Sequence, residues 1–288
     1  MHSELQEKSV RIDDRTIAYL ELEASKTTAK TVVFIHGWMD NAASFLPLLS
    51  RIEQQRLNWR VIALDLSGHG HSSHKSEHHF YNFHDYIDDL HRILIKIQAV
   101  DVYLVGHSLG ALIASCYSAA FPDKVSGLVQ IEAHFPLAES ADLGVERLRK
   151  GIESRERWRN KSLKPVPSKQ DAIKMRMRAT KLDAETVTPI VERDLHQIGG
   201  QWYWRHDGKL KCESVYRMTE QHAQEVMAAI TVPHLIILGH RGYPYLRQAH
   251  WLSLLNHAQI VQVEGDHHCH LESPQEVVEL ILGLVNKN

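Results

Sequence analysis

Short, mostly apolar runs recur along the chain at Thr31–Ile35, Val61–Leu64, Val102–Val105, Gly127–Ile131, Leu235–Leu238 and Ile260–Val263. Each is rich in Val, Ile or Leu on successive positions, as in strands buried on both faces of a parallel sheet. The segment RIDDRTIAYLEL (Arg11–Leu22) alternates instead, and predicts an antiparallel hairpin turning near Asp13-Asp14. Between the runs the period lengthens. In DYIDDLHRILIKI, Ile87, Leu90, Leu94 and Ile97 form one apolar helical stripe. After Ser273, SPQEVVELILGLV has a capping serine, Pro274 at the first helical position and Glu276 at the third. This alternation predicts an α/β fold, with helices on both faces of a mostly parallel sheet.

One interval breaks the pattern. From Phe135 to Met227 the chain is charged, and VERLRKGIESRERWRNK and AIKMRMRATKL read as helices joined through the loop KPVPSK. QWYWRHDGKLK reads as a small hairpin or turn with Asp207-Gly208 at its bend. Because the strand pattern resumes at Leu235, residues 135–227 are expected to be an inserted, mainly helical cap. Residues 1–134 and 228–288 would then make one core domain. Such a cap should lie over the C-terminal edge of the sheet, with Trp202 and Tyr203 as candidates to line an acyl pocket.

Composition narrows the function classes. The chain has 288 residues, 43% of them hydrophobic, enough for a sizeable core. A formal net charge of -2 gives no reason to expect nucleic acid or an anionic membrane as partner. Cys116, Cys212 and Cys269 are too few and too scattered for a disulfide framework, and suit a reducing compartment. The start MHSELQEKSV lacks the apolar centre of a signal peptide, and no apolar run reaches the roughly 18 residues of a membrane helix. The ending LVNKN is no targeting address. These features predict a cytoplasmic protein; oligomeric state is left open.

The chemistry gathers at three places. Gly106-His107-Ser108-Leu109-Gly110 follows a strand and precedes the helical ALIASCYSAAF. A sharp strand-to-helix turn there would hold Ser108 in a strained conformation and present its hydroxyl at the C-terminal edge of the sheet. In FIHGWMDNAASF, His36-Gly37 turns the chain so that the Trp38 N–H can point beside Ser108. With the Leu109 N–H it would form an oxyanion hole, while His36 itself holds the loop. VEGDHHCHLESP follows the last strand, where a general base must lie, and His267 is preferred over His268 and His270. The same histidines raise the question of a metal, but no ligand spacing matches a zinc pattern, so no metal or other cofactor is expected. Cys269 reads as a packed thiol.

With these segments placed, the chain resembles the α/β-hydrolase superfamily over nearly its whole length. More narrowly it resembles the serine hydrolase-like proteins, through HGWMDNAASF, ALDLSGHGHSSH, VGHSLGA, FPDKVSGLVQIEAHFPLAES and GGQWYWRHDGKLK. The resemblance implies an α/β-hydrolase fold, Ser108 as nucleophile, His267 as base and an oxyanion hole at the Trp38 loop. A serine nucleophile sets aside the dehalogenase and epoxide hydrolase chemistries, which need a carboxylate there. The expected activity is hydrolysis of a small-molecule carboxylic ester or thioester. Carbon–carbon bond hydrolysis by the same triad and non-catalytic ligand binding are the alternatives.

The acid is the difficulty. In VPHLIILGHRGYPYL, Gly242 stands where relatives usually carry Asp. Asp266 adjoins His267 too closely to face it, and Asp65 precedes LSGHG, a segment the resemblance leaves structural. Glu132 remains, at the end of the strand expected beside that of Ser108. The resemblance puts an acidic residue there too, although Asp is usual and Glu is present. Glu132 is therefore the expected third member of the triad.

Overall fold

The hairpin forms as predicted: β1 (Gln6–Ile12) pairs antiparallel with β2 (Arg15–Leu22) around Asp13, whose φ is 51°. A computed structural model describes residues 5–23, 30–255 and 257–287. The first four residues of the leading segment and the final Asn288 lie outside the described residues. The six apolar runs become β3 (Lys30–Ile35), β4 (Trp59–Leu64), β5 (Val102–His107), β6 (Gly127–Ile131), β7 (His234–Gly239) and β8 (Ala258–Val263). They complete an eight-stranded sheet in the order β1-β2-β4-β3-β5-β6-β7-β8. From β4 to β8 every pairing is parallel, and β2 meets β4 antiparallel.

Alternate residues of the central strands feed two apolar layers. Val33, Ile35, Ile62, Leu64 and Leu104 pack under α2 (Phe83–Lys96) and α3 (Leu109–Ala120). Val32, Phe34, Val61, Ala63 and Val105 pack against α1 (Leu46–Gln54) and the C-terminal helix Pro274–Lys287. Each such Val, Leu or Ile contributes about 1.5–3 kcal/mol by leaving water, which is why the runs carry no polar face. β8 departs from the expectation. It is an edge strand, and only Val263 of its residues is buried.

Residues 132–233 run between β6 and β7 and hold α4 (Gly144–Arg159), α5 (Lys169–Thr180), α6 (Ala184–Arg193) and α7 (Glu220–Ala228). The periodicity of the sequence does not announce α6, since Pro189 lies inside it. Asp183 caps it by accepting the Thr186 N–H at 2.8 Å, and burial of Val187, Ile190 and Val191 outweighs the hydrogen bond that proline removes. The small hairpin is shifted from its expected place. Leu195–Ile198 pairs with Gln201–Trp204 around Gly199-Gly200, both at positive φ. Asp207 instead caps a short 3-10 turn, accepting the Lys209 N–H at 2.9 Å. Trp202 packs against Val166, Ala172, Val191 and Leu195 within the insertion. Among the described residues no helix is long and apolar enough to cross a membrane.

Candidate active site

Ser108 joins β5 directly to α3 at φ 49° and ψ -116°. That conformation is costly for a residue with a Cβ, and close packing holds it. The Ser108 N–H donates to the Ile131 carbonyl at 2.9 Å, while its own carbonyl accepts from the Ala111 and Leu112 N–H groups. A Cβ on Gly110 would stand 1.9 Å from the Ile35 carbonyl oxygen, so the helix can begin there only with glycine. The expectation from the pentapeptide thus has a steric cause.

The loop after β3 lies against this turn: a Cβ on Gly37 would fall 3.2 Å from the Ser108 Cβ. His36 is fully buried, donates from Nδ1 to the Gly37 carbonyl at 2.7 Å and accepts the Leu66 N–H on Nε2 at 2.9 Å. Burial pushes its pKa down to about 3, so it is a neutral brace for the loop. No described acceptor takes the main-chain N–H of Trp38 or of Leu109. Two side-chain ties to this loop had no signal in the sequence. Trp38 Nε1 donates to the Leu210 carbonyl at 3.0 Å, and Arg176 of α5 donates to the Met39 carbonyl at 2.6 Å while pairing with Asp40 at 3.1 Å.

Glu132 stands immediately after β6 at φ 53°, and its side chain is almost wholly buried. Its carboxylate accepts the Gly239 N–H on Oε1 at 2.7 Å and the Tyr243 N–H on Oε2 at 3.2 Å. Oε2 also faces His267 Nδ1 at 3.4 Å, a long contact. The bare loop after β7 now has a reason. A Cβ on Gly242 would lie 2.1 Å from Glu132 Oε1, so the carboxylate fills the room a side chain at 242 would need.

The discarded acids have other work. Asp65 is buried, accepts the Ala42 and His71 N–H groups at 2.8 Å each and pairs with Arg193 of α6 at 2.8 Å. Asp266 accepts the His267 N–H at 2.7 Å. His267 keeps a partly exposed ring, with the Tyr243 ring 4.4 Å away between centroids. No hydrogen bond joins Ser108 Oγ to the His267 ring in this structure. Instead the neighbour of the serine makes the link: His107 Nε2 donates to the His267 carbonyl at 2.8 Å. His268 is largely buried, and desolvation pushes its pKa down to about 3. Buried Cys269 packs in the core, as expected.

Ser108, Leu109 and Glu132 border a cavity of about 610 Å³. Leu112 and Ala133 line it from the sheet side, Leu137, Leu210 and Met218 from the insertion. Its aromatic wall is made of Tyr81, Phe83, Phe135, Tyr245 and Trp251. Trp202 and Tyr203 do not line it; the insertion's own core takes the first, and the Tyr203 hydroxyl bonds Gln201 at 3.0 Å.

The parallel sheet with its serine turn is the architecture of the α/β hydrolases. The model of the alpha/beta hydrolase fold family matches residues 30–186, so the chain belongs to that family. Over 267 residues it is 26% identical to a serine hydrolase-like protein of Danio rerio, covering 88% of this chain and 80% of that one. A probable serine hydrolase of Drosophila melanogaster is 28% identical over 87% of this chain and 79% of its own. The crystal structure of a hypothetical protein from Pseudomonas aeruginosa PAO1 superposes with a TM-score of 0.88 at 26% identity, covering 98% and 99% of the two chains. Fold and relatives together support a hydrolase.

Proposed function

We propose that the protein hydrolyses a carboxylic ester or thioester of a small molecule through an acyl-enzyme on Ser108. The observation that carries this reading is Ser108 itself, held at φ 49° in a strand-to-helix turn and bordering the cavity. In this mechanism His267 takes the hydroxyl proton as Oγ attacks the acyl carbon. The N–H groups of Trp38 and Leu109 receive the oxyanion, and Glu132 keeps the His267 proton on Nδ1 and stabilises the imidazolium. His267 then protonates the leaving alcohol or thiol, and water, deprotonated by the same ring, releases the acid. The mixed apolar and aromatic cavity wall suits an acyl group of small-molecule size. In this reading residues 135–227 act as a cap over the core of residues 1–134 and 228–288. A fluorophosphonate probe tests the nucleophile: it should label the wild type and leave Ser108→Ala unlabelled, and equal labelling of both would remove Ser108 from the role.

A further inference from the structure

Three buried side chains outside the proposed triad converge behind it: Asp40 from the Trp38 loop, His107 at the end of β5 and His270 just after His267. They are 3%, 1% and 0% exposed, and one donor atom from each lies within 4.8 Å of the other two. The His107 and His270 rings are 4.2 Å apart between centroids. Asp40 Oδ2, His107 Nδ1 and both His270 nitrogens have no hydrogen-bond partner. Four unpaired polar atoms in one buried place are expensive.

The tautomer of His107 is fixed by its other bond. A carbonyl only accepts, so the contact from Nε2 to the His267 oxygen at 2.8 Å puts the proton on Nε2. Nδ1 therefore keeps a free lone pair, with no hydrogen-bond partner. An imidazole that donates one N–H to a main-chain carbonyl and offers the other nitrogen is arranged as metal-bound histidines are. Asp40 is braced similarly: Oδ1 takes the Asn41 N–H at 3.2 Å and the Arg176 guanidinium at 3.1 Å, while Oδ2 has no partner.

We infer that Asp40, His107 and His270 form a binding site for one divalent transition-metal ion of the zinc type. Two imidazoles and one carboxylate suit such an ion better than magnesium or calcium, which prefer oxygen alone. Bonds of about 2.0–2.2 Å place ligand atoms roughly 3–4 Å apart, so small side-chain rotations close the set. Arg176 lowers the affinity through its charge but holds Oδ1, leaving Oδ2 unpaired. The bound ion would join the Trp38 loop, the Ser108 turn and the segment after His267 to one point. That explains why the three ligands come from the three active-site loops. The site does not depend on the hydrolytic reading, and Ser108→Ala protein should bind the same ion.

The test uses full-length, tag-free protein stripped with a chelator and then dialysed. Returned Zn²⁺ should be retained at one ion per chain and should raise Tm by about 5 °C at a hundredfold excess over Kd. Asp40→Asn and His270→Gln should each lose this ion and this shift. Equal retention in wild type and both variants would overturn the inference, because 21 histidines give the chain other, adventitious sites. Should a variant fail to fold by circular dichroism, Co²⁺ bound to the wild type decides. Intense visible bands of a four- or five-coordinate nitrogen site are expected. The weak spectrum of hydrated octahedral Co²⁺, or no stoichiometric binding, would show that no such site exists.

Discussion

At Glu132 one carboxylate meets two main-chain N–H groups and the His267 ring, and its backbone accepts a positive φ to do so. Under the proposed mechanism, Glu132→Gln keeps the shape and removes the charge that would stabilise an imidazolium on His267. By analogy with other triads, kcat should fall about two to four orders of magnitude, with the far-ultraviolet circular dichroism spectrum unchanged. Gly242 allows a sharper experiment. Gly242→Asp alone would drive its Cβ into the Glu132 carboxylate, so it should destabilise the fold by about 1–3 kcal/mol in urea unfolding and abolish turnover. Adding Glu132→Ala opens that room, and the double variant should recover stability and part of the activity lost in Glu132→Ala. A double variant no better than either single change would separate position 242 from the acid. The places of Ser108 and Glu132 directly after β5 and β6, and of His267 in the loop after β8, were legible from the strand pattern. The donors that hold Glu132 were not, because Gly239 and Tyr243 act through main-chain N–H groups and carry no side-chain signature.

The elements show a second pattern: those with a strong period were legible, and those held by tertiary contacts were not. Every central strand appeared as an apolar run because both its faces are covered. In α2 the buried apolar residues are Tyr86, Leu90, Ile93 and Leu94, close to the stripe expected from spacing alone. The insertion was harder. Its longest helix, α4, buries only Gly151 and Ser154, and α6 hides its apolar face behind a proline. The Trp38 loop owes its position to that insertion through the Leu210 carbonyl and Arg176. Trp38→Phe keeps an aromatic ring, though a smaller one, and loses the Nε1 donor, a bond worth about 0.5–1.5 kcal/mol. If the loop supplies an oxyanion donor, kcat should fall about threefold to tenfold with KM little changed. A loss confined to KM would mean that Trp38 only lines the cavity.

Across the whole molecule, buried neutral histidines tie stability to pH. His36 and His234 have pKa values pushed down by burial to about 3 and about 4. His36 accepts the Leu66 N–H, and His234 Nε2 donates to the Gln130 side chain at 2.8 Å. The unfolded chain binds protons on these rings near pH 6.5 while the folded chain does not. Their contribution is therefore complete above about pH 6.5 and is lost as pH falls towards their folded values, at about 1.4 kcal/mol per pH unit for each ring. Urea midpoints at pH 7.5, 6 and 5 should fall progressively, and a flat profile would refute this linkage. The sheet itself has a further consequence, for descent rather than chemistry. Because β6 and β7 run parallel with Ile131 beside Ile237, Glu132 after the one and Gly242 in the loop after the other meet at the same point, from two distant parts of the chain. Since the room admits one side chain, a lineage moving the acid from one strand to the other must change both positions together. Residues 132 and 242 should then vary in opposition among relatives, and a search that demands an acid at 242 would discard this chain as inactive.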